Sequence, residues 1–277
     1  MKTRIITGVI GIAVAAFVIQ TGGLLFAVAV LALMLIGWHE YAKAFKAHGE
    51  LLAYFTGMLV LLLMWGSAFY RKPEIFIFVS LLGTFAVFTQ SVLCHRTFTV
   101  IEACESIAGI VYVGFAFSHL VLLRFFGSGE ELDTFFGSLD TGCALIWIAL
   151  IGTWASDTFA YFSGSAFGKN KLCEAISPKK TIEGFIGGVI GTMISVAIVG
   201  HLFSFAVIPM LGLGFLIALV ATMGDLVESA IKRYTGIKDS GNIIPGHGGV
   251  LDRFDSVMFS VPFVYYFTLF VRYFDIL

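Results

Sequence analysis

Phe185-Ile-Gly-Gly-Val-Ile-Gly-Thr-Met-Ile-Ser-Val-Ala-Ile-Val-Gly-His-Leu-Phe-Ser-Phe-Ala206 runs for 22 residues without an Asp, Glu, Lys or Arg. About twenty such residues in helical form span a bilayer. The pattern recurs along the 277-residue chain, which is 58% hydrophobic and only 13% charged. Soluble domains average roughly 45–50% apolar and about 25% charged residues. Too little polar surface remains to cover a water-facing globule, which excludes a soluble enzyme, a secreted disulfide scaffold and a disordered tail. Unbroken apolar runs also exclude a transmembrane barrel, whose strands alternate apolar and polar residues. The reading is an all-α polytopic integral membrane protein.

Apolar runs and their polar interruptions predict about nine transmembrane helices, near 5–20, 24–38, 51–70, 75–94, 101–126, 143–166, 185–206, 208–231 and 257–275. The first imitates a signal peptide, with Lys2 and Arg4 before the run, yet no soluble segment follows it. It reads as a retained span, short enough for partial insertion. Only Thr21-Gly22-Gly23 separates it from the second run, which predicts a tight helical hairpin. No repeat or linker is visible, so residues 1–277 read as one membrane domain. Within it, 1–142 form N-terminal hydrophobic helices and 143–277 carry the catalytic helices and cytoplasmic loops.

Counting Lys and Arg on alternate sides puts 13 of the 17 on one side. The positive-inside rule makes that side cytoplasmic, with the N-terminus inside, the C-terminus outside and the acidic loop at Glu130–Asp140 outside. Arg71-Lys72 is the exception. Residues 169–184 and 225–255 hold 15 of the 35 charged residues, all on the cytoplasmic side. A net charge of −1 carries no signal for nucleic acid, and no nucleic-acid partner is expected. The cysteines Cys94, Cys104, Cys143 and Cys173 lack metal-ligand spacing and read as small apolar helix residues.

Four segments carry polar chemistry. Asp225, Ser229 and Lys232 stand at i, i+4 and i+7 on one helix face, and Gly236 ends that helix. Pro245-Gly-His247-Gly-Gly249 follows, irregular backbone whose amides can face an anion. Asp252 and Asp255 then share a face of the next helix. Carboxylates and cations converging at a helix end suggest a metal–phosphate site, and hard oxygen donors favour Mg2+. Asp157, with Tyr161 at i+4, is a second acid inside an apolar run, a position that calls for a partner or a wet cavity. In Ser177-Pro-Lys-Lys-Thr181, Pro178 opens a turn, Lys179 and Lys180 suit phosphate, and Thr181 or Ser177 caps the next helix. Gly164-Ser-Ala-Phe-Gly168-Lys169 is one residue short of a Walker A loop and lacks its Ser or Thr. Gly184, Gly187, Gly188 and Gly191 have small-xxx-small spacing and read as helix packing.

Ser229–Asp255 resembles, almost position for position, the signature of the phosphatidate cytidylyltransferase (CDP-diacylglycerol synthase) family. That signature reads Ser-x-x-Lys-Arg, four residues, Lys-Asp, then Pro-x-His-Gly-Gly-x-x-Asp-Arg-x-Asp. Asp157-x-x-Ala-Tyr161, Gly164, Gly168-Lys169 and Ser177-Pro-Lys-Lys-Thr-x-Glu-Gly184 are also similar to that family. The close resemblance covers about residues 150–256.

The resemblance implies a membrane nucleotidyltransferase of phospholipid biosynthesis that transfers a cytidylyl group from CTP to phosphatidate, giving CDP-diacylglycerol and pyrophosphate. It also implies a second metal ion beside Mg2+, a homodimer, and a bacterial-type inner membrane. On this reading Asp225, Asp252 and Asp255 bind metal, and Asp225, Asp252, Lys232 and Arg233 are the catalytic set. Lys179, Lys180, Lys238, His247, Ser177 and Ser229 contact the substrates, and Asp157 with Tyr161 lines the polar cavity. A CTP-dependent kinase of a lipid alcohol shares the setting but needs a base for its hydroxyl acceptor. A transporter also explains intramembrane acids, but predicts related halves that the sequence lacks.

Overall fold

A computed structural model describes residues 2–243 and 248–274, with side chains described from Thr7 onward. His247, expected at the substrate, lies outside the described residues. The elements are helical except for two short hairpins. In order they are α1 (Lys2–Thr21), α2 (Gly23–His48), α3 (Tyr54–Phe69), α4 (Pro73–Leu93), α5 (Val100–Gly109), a π-helical turn (Ile110–Phe115) and α6 (Ala116–Arg124). Then come β1 (Glu131–Thr134), β2 (Gly137–Asp140), α7 (Thr141–Phe167), β3 (Lys171–Cys173), β4 (Ser177–Thr181), α8 (Ile182–Leu202), α9 (Val207–Thr235) and α10 (Leu251–Tyr273).

The all-α membrane class expected from composition is the one found. Among the described residues seven helical segments are long and apolar enough to cross a bilayer, with α5 to α6 counted as one. The other two expected spans are shorter apolar helices, Thr7–Thr21 and Tyr54–Phe69, so the count of nine is not reproduced. The boundaries follow local chemistry. Gly22 and Gly23 take positive φ, 62° and 54°, and divide α1 from α2 where the hairpin was expected. α2 runs ten residues past its expected end at residue 38, because its polar last turns remain helical until Gly49 closes them in the left-handed region. Gly236, φ 71°, follows the last residue of α9 as expected.

The chain forms two compact units. One comprises residues 1–122 and 231–254, the other 123–230 and 255–277. In the first, Gly57 lies against the Trp38 indole and Gly109 against the Tyr41 ring, so α2, α3 and α5 approach closely. The Trp38 indole N–H donates to the Tyr54 carbonyl (3.0 Å). Thr99 and Glu102 form a capping box at the start of α5. The second Glu102 oxygen accepts from Leu51 N (2.8 Å) and ties down the α2–α3 link.

In the second unit α7 packs along α8 through the expected glycines. A Cβ on Gly187 would collide with Ser163, one on Gly191 with the Phe159 ring, and one on Gly184 with the Ala160 carbonyl. The opposite face of α8 turns Ile186, Ile190, Ile194 and Ile198 outward, as a lipid-facing stripe does. Asp140 caps α7 at Cys143 N (3.0 Å) and pairs with buried Arg124 (2.6 Å).

Candidate active site

Thr181 is the residue that caps α8, accepting from Gly184 N (3.1 Å). Ser177 lies four residues earlier in β4, paired with Cys173 of β3. Pro178 therefore belongs to a strand, not to the turn expected from sequence; its lack of an N–H is tolerated at a sheet edge. Glu183, in the first turn of α8, fixes the approach to this hairpin by accepting from Lys169 N (3.1 Å), Asn170 N (3.2 Å) and Asn170 Nδ2 (2.7 Å). Lys171 donates across the hairpin to the Pro178 carbonyl (2.6 Å). The result is a braced β4 from which Lys179 is exposed and Lys180 is half-buried.

Lys180 Nζ sits 2.7 Å from Asp225 Oδ2 on α9. One turn on, Ser229 Oγ donates to Asp225 Oδ1 at 3.4 Å. Asp157 of α7 lies within Coulombic reach of both Asp225 and Lys180. So the second unit brings together four expected residues: Asp157, Lys180, Asp225 and Ser229. Two acids share one lysine there, an excess of negative charge that favours a further cation. Tyr161 is 69% exposed and its ring meets Phe162 edge-on. Asp255, half-buried in the first turns of α10, accepts from Ser256 N (2.7 Å).

The first unit holds the other half of the expected set. Asp252 has a side chain only 5% exposed. Its Oδ1 accepts from Lys232 Nζ at 3.1 Å. Its Oδ2 accepts from Ser240 N (2.9 Å), Ser240 Oγ (2.9 Å) and Gly249 N (2.8 Å). The Gly249 bond reaches back from the first turn of α10 to the residue three before Asp252. Gly249 N is thus taken by the chain's own carboxylate, whereas sequence reading left it to face a foreign anion. Arg233 and Lys238 are exposed.

One residue of this cluster escaped the sequence reading. Glu40, in the C-terminal half of α2, is 2% exposed and accepts from Val250 N (3.0 Å) and Leu251 N (3.0 Å), with Ser240 Oγ 3.3 Å away. In sequence it stands just past an apolar run and three residues before Lys43, which reads as an ordinary surface pair. Its distant partners leave no local signal.

Among the described residues no three His, Cys, Asp or Glu side chains gather as a ready metal cage. The donor chemistry nevertheless fits Mg2+, which takes one or two carboxylates with substrate phosphates and waters. Asp225 and Asp252 are hard oxygen donors, and each already holds a lysine ammonium, at 2.7 and 3.1 Å.

Apolar helices of spanning length, with carboxylate–lysine pairs and a braced lysine hairpin, define a polytopic membrane protein. The chain belongs to the cytidylyltransferase family, whose model matches residues 2–271. It is similar to the phosphatidate cytidylyltransferase of Bacillus subtilis, 35% identical over 96% of this chain and 97% of that protein. The protein of that name from Synechocystis is 35% identical over 96% of both chains. The one from Staphylococcus aureus is 33% identical over 95% of this chain and 96% of its own. The similarity extends well beyond residues 150–256, the stretch on which the resemblance rested.

Proposed function

We propose that this chain transfers a cytidylyl group from CTP to phosphatidate. The observation that carries the reading is the 35% identity over nearly the full length of a relative bearing that activity in its name. A phosphate oxygen of phosphatidate attacks the α-phosphorus of CTP, the bond from that phosphorus to the bridging oxygen breaks, and pyrophosphate leaves with CDP-diacylglycerol as product. The lipid phosphate is already a nucleophile at neutral pH, so no general base is required. The task is to bring two anions together and hold them in line.

The site chemistry supports this. Lys179 is exposed, and Lys180 and Lys232 each pair with a carboxylate that a phosphate can replace, which supports a role for all three ammoniums in binding phosphate. Arg233 and Lys238 add exposed positive charge. Asp225, Asp252 and Asp255 are the side chains that would hold Mg2+, which when bound supplies charge neutralisation on the reacting phosphates. Ser177, Ser229, Asp157, Tyr161 and His247 complete the substrate-contacting set. The reading extends to a bacterial cytoplasmic membrane with the N-terminus and both charged segments inside, supported by the 13-to-4 distribution of Lys and Arg. A second metal ion and a homodimer enter through the family resemblance alone.

The test is purified protein in lipid with Mg2+, phosphatidate and CTP labelled at the α or γ position. Label from the α position should enter lipid while γ label leaves as pyrophosphate. Label from the γ position appearing in lipid would overturn the reading in favour of a kinase.

A further inference from the structure

Among the described acidic residues Glu40 is the most buried, at 2% exposure, and two backbone N–H groups donate to it. Val250 N and Leu251 N are the first amides of α10, which begins at Leu251, and such amides have no partner within their own helix. The carboxylate of α2 fills that vacancy, where the helix dipole also favours negative charge. Gly241 and Gly249 close around it, and a Cβ on either would collide with the Glu40 carboxyl group. Ser240 Oγ lies 3.3 Å from Glu40 and 2.9 Å from Asp252. It has one proton, which goes to the nearer Asp252, so Glu40 is held chiefly by the two amides. The same few residues, Ser240 and Gly249 to Leu251, thus carry two carboxylates, Glu40 from behind and Asp252 from the helix itself.

We propose that Glu40 is a positioning residue for the transfer reaction. As a resident anion on the N-terminus of α10 it fixes Ser240 and Gly249 to Leu251, and with them the side chain of Asp252, whose Oδ1 accepts from Lys232 Nζ. It also keeps a substrate phosphate from settling on the Val250 and Leu251 amides. The inference rests on the proposed function for its catalytic part, and on geometry alone for its structural part.

Glu40→Gln tests it, because Gln sets an NH2 donor against N–H donors while preserving shape. Hydrogen exchange of the full-length protein in detergent should show the Val250 and Leu251 amides opening about tenfold faster than in the parent. With CTP and phosphatidate, kcat should fall about tenfold and the half-saturating Mg2+ should rise, with KM for CTP changing less. Glu40→Gln combined with Asp252→Asn should be little worse than Asp252→Asn alone, since both act through one group. A folded Glu40→Gln protein with parental exchange or turnover within twofold of the parent would overturn the proposal. So would additive losses in the double variant. If Glu40→Gln fails to fold, Glu40→Asp, which keeps the charge but draws it back by one methylene, must show the same exchange and Mg2+ changes. A parent that converts neither substrate would defeat the proposed function, and the exchange measurement would still judge the clamp.

Discussion

Replacing Asp252 by Asn changes one atom in a side chain that accepts four hydrogen bonds and is 5% exposed. The amide oxygen can take the position of Oδ2, where three donors converge. The NH2 then faces the Lys232 ammonium at the position of Oδ1. Bonds to a charged acceptor contribute about 1.5–3 kcal/mol and neutral ones about 1 kcal/mol. Three weakened bonds and a lost ion pair, on a lysine side chain 23% exposed, predict a stability loss of about 2–4 kcal/mol. The effect on catalysis should exceed that on folding. Removing the charge that a hard divalent cation needs should cost roughly a hundredfold or more in turnover, at about 1.4 kcal/mol per decade. Thermal unfolding in detergent and pyrophosphate release across a Mg2+ titration separate the two effects. Residual activity should shift to higher Mg2+. Folded Asp252→Asn protein turning over within a few fold of the parent, at unchanged Mg2+ dependence, would refute the assignment.

Changing Lys179 and Lys180 together to Ala should raise KM for CTP by about tenfold with the fold retained, because Thr181 and Glu183 brace the segment independently; near-normal kinetics across a CTP titration would reduce it to a solvated patch. In a background free of the four native cysteines, a cysteine at 130 should react with an impermeant reagent in intact cells and one at 238 should not; the reverse would invert the topology. Gly191→Val should destabilise by about 1–3 kcal/mol or more, because its Cβ meets the Phe159 ring. Gly66→Ala, with open space around it in α3, should be neutral or stabilise by up to about 1 kcal/mol, and thermal midpoints compare the two.

The parts of the fold legible in the sequence are those fixed by local or periodic signals. Apolar runs marked the spans, Gly22-Gly23 and Gly236 marked breaks, and Gly184, Gly187, Gly188 and Gly191 of α8 marked a packed helix face. Of the site, the pairing of Asp225 with Ser229 follows from one helical turn, whereas Lys180 reaches Asp225 from 45 positions away. The two hairpins were missed because short strands such as Ser177–Thr181 lack alternation long enough to read. The extension of α2 was missed because hydropathy marks the end of an apolar run, not the end of a helix. The N-terminal helices read as plain hydrophobic scaffold because one carboxylate among them looks like any surface acid. Its partners lie 200 to 211 residues away, beyond any local pattern.

That separation gives the buried carboxylate a history during synthesis. Glu40 leaves the ribosome well before the donors that satisfy it, and at about 5–20 residues per second the gap of 200 residues lasts roughly 10–40 s. Throughout that interval a carboxyl group in the C-terminal half of α2 lacks its protein donors and takes water in their place, which favours keeping this part of the helix at the water interface while later helices insert. Only when Ser240, Val250 and Leu251 arrive can water be released from it. The acidic residue that is most dehydrated in the finished protein is thus a wet marker of helix position in the nascent one.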